Sequence, residues 1–256
     1  MWCFFWDDPQ AGWVDSLKSA GVRVWIQVGS PDEAQNALAM GADALIVQGS
    51  EAGGHNRAVA ALFSLLPVIV DQSPVPVIAS GGIADGRGVA AALALGAEAV
   101  WVGTRLVASV EANSHAGYKQ RIVEAGVGDT ERHSIFGPQF PDAPVRGIRN
   151  RIVREWSGRD NPPPYKGLDP ASLPIIGELD LDGAKIPMTR FMGFPPTANS
   201  TGDLEEMGLL AGESVGLVHE LKPAGEIVRS MMAEAGNIIR DRLASVVAGP
   251  VTKILS

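Results

Sequence analysis

From the N-terminus to about Ala125, short runs of Val, Ile, Leu or Trp alternate with Ala-rich amphipathic segments, and a Gly or Ser turn stands between them. Apolar runs of this length predict strands, and apolar positions returning every three or four residues predict helices. The repeating unit is therefore a strand followed by a helix. Residues 22–28 are read as a strand, Gly29-Ser30 as its turn and 31–40 as a helix, with Ser30 at the N-cap, Pro31 at the first helical position and Glu33 completing the cap. Gly41 closes that helix. Further strands are expected at 44–48, 75–80 and 99–102, and helices near 58–66, 86–95 and 114–124. Phe4-Phe5-Trp6 reads as the end of a fifth strand leading into a helix over 10–20. Strands separated by helices pair in parallel through right-handed crossovers, which places this half in the α/β class. Five such strands fit an open sheet or part of a barrel, and the pattern alone does not choose.

After residue 129 the rhythm stops. Eleven of the eighteen prolines lie between Pro138 and Pro196, including Pro162-Pro163-Pro164. Proline fixes φ and removes a backbone donor, so this stretch is expected to be irregular chain lying over a scaffold and not a second sheet. From Pro223 onward Ile227, Val228, Met231, Met232, Ala235, Ile238 and Ile239 form one apolar stripe, which predicts a packed terminal helix. The expected organisation is thus 1–129 as the strand-helix part and 130–256 as a Pro-rich, mostly helical region packed on it.

The net charge of −8 opposes wholesale binding of nucleic acid or anionic lipid, so neither is expected as a partner, and any phosphate must be held by a local site. The stretch from Ala58 to Val70 is apolar and free of charge for only 13 residues, where a membrane helix takes about 18–20. The first residues reach Asp7 without a basic flank and make a poor signal peptide. A single cysteine, Cys3, excludes an internal disulfide and suits a reducing compartment, so a cytoplasmic address is the expectation.

The chemistry gathers just after strand ends, the edge where parallel α/β proteins bind ligands. In Gln48-Gly-Ser-Glu-Ala-Gly-Gly-His55 an amide, a carboxylate and an imidazole share one glycine-rich loop. The glycines let backbone approach a flat ligand, Gln48 can donate to and accept from a heterocycle edge, and His55 can act as base or acid near neutrality. Gly81-Gly82-Ile83 and Gly103-Thr104-Arg105 end two successive strands, where backbone amides, a hydroxyl and a guanidinium suit a phosphate. Neither a dinucleotide Gly-x-Gly-x-x-Gly nor a Walker lysine loop occurs. No Cys/His spacing suggests a metal, and no Gly-x-Ser-x-Gly elbow suggests a serine hydrolase. His115 and His219 read as solvated helix residues, His133 as structural, and Asp7-Asp8 as an acid pair or a helix-entry turn.

At these motifs the sequence resembles the nitronate monooxygenase (2-nitropropane dioxygenase) family of FMN-dependent TIM barrels. The resemblance rests on the segments 41–55, 76–87 and 96–105, and continues through Asp203-Leu-Glu-Glu and Leu210-Ala-Gly-Glu-Ser-Val-Gly-Leu-Val218, where Glu213 replaces a usual glutamine. It implies FMN at the strand ends, with Gln48 and Gly53 on the isoalloxazine side, and Gly82, Trp101, Val102, Gly103 and Thr104 at the phosphate and ribityl end. His55 would be the catalytic base toward a small nitro compound or nitronate, with O₂ completing an oxidative denitrification to a carbonyl compound and nitrite. Two alternatives stand beside this: NAD(P)H-dependent reduction of an enoyl thioester or quinone on the same FMN barrel, and a non-catalytic remnant. The family begins with three more strand-helix units, so the resemblance implies a partial (β/α)₈ barrel of about five strands. Two unpaired parallel edges are a liability. The expectation is accordingly that the true start lies upstream, or that another chain, such as a second copy in a homo-oligomer, supplies the wall.

Overall fold

The computed structural model describes residues 1–6, 9–10, 12–140 and 143–248. Asp7-Asp8 lies outside the described residues. The first part runs β1 (Trp2–Phe4), α1 (Trp13–Ser19), β2 (Val24–Val28), α2 (Pro31–Ala39), β3 (Ala44–Gln48), the two-residue β4 (Gly54–His55), α3 (Leu62–Val70), β5 (Val77–Ser80), α4 (Gly86–Ala94), β6 (Ala99–Trp101), α5 (Thr104–Val107) and α6 (Ala116–Glu124). Strands β1-β2-β3-β5-β6 form one sheet in that order, every neighbouring pair parallel. These are the five expected strands, and no closed barrel forms among the described residues. Both β1 and β6 are edges.

Local signals behave as their chemistry dictates. Ser30 caps α2 by accepting from Glu33 N at 3.2 Å, while the Glu33 carboxylate takes Gly29 N at 2.7 Å, a reciprocal cap with Pro31 at the first position. Asp85 caps α4 by accepting from Arg87 N and Gly88 N at 2.9 and 3.3 Å. His115, expected on a solvated face, is instead the N-cap of α6 and accepts from Gly117 N at 3.0 Å. The helix expected at 58–66 starts later, at Leu62, because the Glu51 carboxylate receives the Leu62 amide at 3.0 Å and so terminates the preceding loop there.

The two faces of the sheet differ. Val24, Ile26 and Val28 of β2, Leu45 and Val47 of β3, and Val77 and Ala79 of β5 point under the helices into the main core, which Ile227, Met231 and Ala235 of the terminal helix also enter. Strand alternation sends Trp25, Ile46, Ile78 and Trp101 to the opposite face, with Gln27, Gln48 and Ser80 at its carboxyl end.

Beyond residue 129 the expectation of irregular chain without a second sheet is corrected. Strands β7 (Thr130–His133) and β8 (Val145–Ile148) pair antiparallel, and β8 also takes β4, giving the order β4-β8-β7. After α7 (Arg151–Trp156), β9 (Ile175–Leu181) and β10 (Ala184–Thr189) form a hairpin that β11 (Thr201–Gly202) joins. Most prolines avoid these ladders, and Pro187 sits in β10, an edge strand of its sheet where a missing donor is tolerated. The apolar stripe from Pro223 is α8 (Ala224–Asn237), which continues through a π-helical turn, Ile238–Leu243.

Candidate functional site

A cleft of about 320 Å³ opens over the carboxyl ends of β2, β3, β5 and β6. Gln48, Gly53, His55, Gly82, Trp101, Gly103 and Thr104, drawn from three separate loops, all line it. Val102 does not. Alternation turns its side chain to the helix-covered face, where it packs with the main core beside Val228 and Met231. Arg105 is a second correction. Its guanidinium is buried, donates to the Ala108 and Glu220 carbonyls at 3.3 and 3.2 Å, and faces another cavity. Burial lowers its pKa.

The Gly49–Asn56 loop is held rigidly. Asn56, fully buried, donates its amide to the carbonyls of Gly49, Ser50 and Ala52 at 3.1, 3.1 and 2.9 Å. Arg132 and Arg146, directly opposite each other on β7 and β8, donate through Nε to the carbonyls of Asn56 and Ser50 at 2.9 and 3.0 Å. Gly53 lies against Gly212, whose amide donates to the Thr104 hydroxyl at 2.9 Å, and Glu213 N donates to the Glu51 carbonyl at 2.9 Å. The 211–213 segment therefore ties the first loop to the third.

Gln48 donates through Nε2 to the His55 carbonyl at 3.0 Å, and its Oε1 is buried without a partner. Nε2 of His55 is likewise buried and unpartnered. Two orphaned polar atoms beside one cleft are costly unless a ligand or solvent meets them. Burial lowers the His55 pKa, which keeps its imidazole neutral and able to accept a proton at neutral pH. Tyr118, at the cleft's side, is fully buried, which raises its pKa, and its hydroxyl donates to the Leu210 carbonyl.

No Lys, Arg, Asp or Glu lines the cleft among the described residues. An anion there must be met by neutral donors. The amides of Gly82, Ile83, Gly103 and Thr104 donate to no protein acceptor among the described residues, and a Cβ built on Gly103 would meet nothing within 4 Å. No group of three or more His, Cys, Asp or Glu able to hold a metal occurs among the described residues.

Sequence reading missed Gln27, Ser80, Tyr118, Leu210, Gly212 and Ser214 as lining residues. Gln27 and Ser80 share with Gln48 a strand-end position on one face, so alternation carries their signal. Leu210, Gly212 and Ser214 lie in the 210–218 segment that carries part of the family resemblance, and no local pattern marks Tyr118. His133 is structural, as read: it is buried, and burial pushes its pKa down to about 4.

Comparison with known proteins adds the family. The model of the nitronate monooxygenase family matches residues 2–234. A probable nitronate monooxygenase of Staphylococcus aureus is 32% identical over 247 residues, covering 93% of this chain. The chain spans 63% of the length of the curated relatives it matches. Among solved structures, FabK from Thermotoga maritima superposes with a TM-score of 0.75 at 32% identity, covering 94% of this chain and 70% of that one. A nitroalkane oxidase from Streptomyces ansochromogenes gives 0.65 at 27%, covering 88% and 60%. No helix among the described residues is long and apolar enough to cross a membrane.

Proposed function

The chain belongs to the nitronate monooxygenase family, and from that premise we propose that it is a flavin-dependent oxidoreductase that binds FMN in the cleft over β3, β5 and β6 and acts on small alkyl nitronates. The observation that carries this reading is the pair of buried atoms, Gln48 Oε1 and His55 Nε2, unpartnered among the described residues and set beside a glycine-walled cleft that no ionised side chain lines among those residues. A flavin ring edge offers the donor that Gln48 Oε1 lacks among the described residues. Gly53 lines the cleft with the place of its missing side chain taken by the 211–212 backbone, and the amides of Gly82, Gly103 and Thr104 suit a phosphate.

Bound FMN would supply the electron-accepting chemistry for oxidation of the substrate, with O₂ as the final acceptor. The protein's own part is positional and acid–base. His55, neutral through burial, accepts at Nε2 the proton from the carbon bearing the nitro group, or hydrogen-bonds the nitronate once that proton is gone. Gln48 holds the His55 carbonyl and so fixes the loop that presents the imidazole. The 211–213 segment ties the Gly49–Asn56 loop to Thr104 through the Gly212 and Glu213 amides.

The test is reconstitution with FMN, gel filtration and stopped-flow mixing with a nitronate. Retained flavin absorbance and bleaching by the nitronate support the reading, with His55→Ala lowering kcat/KM by about 10²–10⁴ while FMN stays bound. Absence of bound flavin overturns it. Bleaching by NAD(P)H without any nitro compound replaces it with an enoyl-thioester or quinone reductase.

A further inference from the structure

The His55 imidazole makes no hydrogen bond to any protein group among the described residues, yet a base must be oriented. Catalytic histidines are commonly held through their second nitrogen by a carboxylate or carbonyl. Here aromatic rings surround it instead. Phe140 stands edge-on to the imidazole with centroids 4.6 Å apart and planes at 65°. Trp6 and Phe5 approach at 5.6 and 6.3 Å. Phe194 buttresses Phe140 from behind at 5.7 Å and 68°.

We propose that Phe140, backed by Phe194, is the positioning residue that holds His55 with its free nitrogen turned to the cleft. The backbone around Phe140 is built for this placement. Phe140 N donates to the Gly137 carbonyl at 2.9 Å, Gly137 N to the Phe191 carbonyl at 3.0 Å, and Gly193 N to Gln139 Oε1 at 3.0 Å. Gly137 takes a φ of +136°, and a Cβ on Gly193 would sit 3.3 Å from its Cα, so two glycines allow the 137–140 turn and the 191–194 segment to close on each other. On the other side, Asn56 N donates to the Pro144 carbonyl at 2.8 Å and His55 pairs with Val145. Residues 144–145 thus run alongside the loop that carries His55. An edge-to-face ring pair fixes orientation as well as position, because the positive ring edge meets the neighbouring π-face.

Among the described residues, the charged groups on the elements packed around His55 are turned elsewhere. Arg57 lies over the Trp6 ring at 4.9 Å with Glu33 at 3.8 Å, Arg132 and Arg146 serve loop carbonyls, and Glu213 pairs with Arg146 at 3.2 Å. Tyr118 is the other titratable group on the cleft, and it is committed to Leu210. Burial lowers the His55 pKa, and these rings stand with their centroids within 6.3 Å of the imidazole.

This inference rests on the reading of His55 as the working base, and its test is arranged to fail separately. The His55 ring resonances, assigned with His55→Ala, are followed by NMR against pH in the wild type and in Phe140→Ala, Phe140→Leu and Phe140→Tyr, beside kcat/KM–pH profiles with a nitronate. Phe140 is half-buried, and leucine keeps apolar bulk if alanine does not fold. The expected result is an upward shift of the His55 titration in the alanine variant and a smaller one in the leucine variant, which keeps part of the apolar bulk. With it come a fall in kcat of about 10–100-fold, KM held within about threefold, and rescue by tyrosine. Titrations and profiles coincident with wild type in the leucine variant overturn the proposal, as does equal impairment in the tyrosine variant. A wild type that binds flavin without turning over a nitronate overturns the proposed function, and the NMR titration still decides the role of Phe140.

Discussion

Two glycines of the same cleft should respond to the same substitution in opposite ways. A Cβ on Gly53 would lie 2.4 Å from Gly212 N, 2.5 Å from Ala211 C and 2.8 Å from Ala211 Cα. All three atoms are backbone, so no side-chain rotation relieves the collision. Gly53→Ala must push the 211–213 segment away, and that segment hangs on the Gly212–Thr104 and Glu213–Glu51 hydrogen bonds. Overpacking costs about 1–3 kcal/mol and a lost hydrogen bond about 1 kcal/mol more. At about 2–4 °C per kcal/mol for a chain of this size, the melting temperature should fall by roughly 4–16 °C. Gly103 has φ −103° and open space where its Cβ would go. Gly103→Ala should therefore melt within about 2 °C of wild type, since a substitution without a clash stays within about 0.5 kcal/mol. Its methyl group projects into the space the proposed FMN phosphate needs, so the FMN dissociation constant should rise at least about tenfold, or roughly 1.4 kcal/mol. Thermal melts followed by circular dichroism without flavin, and absorbance titrations with FMN, read the two effects apart. A wild-type melting temperature for Gly53→Ala, or a lowered one for Gly103→Ala, refutes the geometry.

Other expectations follow from the loop ties. Asn56→Ala leaves the Gly49, Ser50 and Ala52 carbonyls without their shared donor; it should cost about 2–4 kcal/mol by denaturant titration, and full retention of stability would show that the staple is idle. Thr104→Val removes the acceptor for Gly212 N and should lower stability by about 1–3 kcal/mol, whereas Thr104→Ser should not. His133 is buried neutral with its pKa depressed from 6.5 to about 4. The unfolded chain binds a proton there that the folded chain refuses, so this contribution is complete above pH 6.5 and is lost as pH falls toward 4, by roughly 3 kcal/mol. His133→Gln should flatten that acid limb of a stability–pH curve, and an unchanged slope would refute the assignment.

Much of the site was legible before folding because its residues obey local rules. Gln48, Gly82, Gly103 and Thr104 sit where a strand of period two ends in a glycine turn, and backbone geometry alone brings successive parallel strand ends to one edge. The same alternation, applied strictly, separates Val102 from Trp101 and would have added Gln27 and Ser80. Arg105 shows the limit of a motif. Next to Gly103-Thr104 it reads as an anion ligand, but one residue further along α5 its side chain turns into a different cavity.

What the sequence determined by itself is the strand-helix rhythm, the caps of α2 and α4, and the glycine-rich loops at strand ends, since each depends on contacts within a few residues. Tertiary structure alone decided what surrounds those loops. The β4–β8 pairing, the Gly53–Gly212 approach and the Phe140 ring on His55 join residues about 85 to 160 apart in the chain. Prolines between Pro138 and Pro196 mark only where donors are missing; where that segment returns is set by the backbone groups and rings it meets on the loops at the sheet's carboxyl edge.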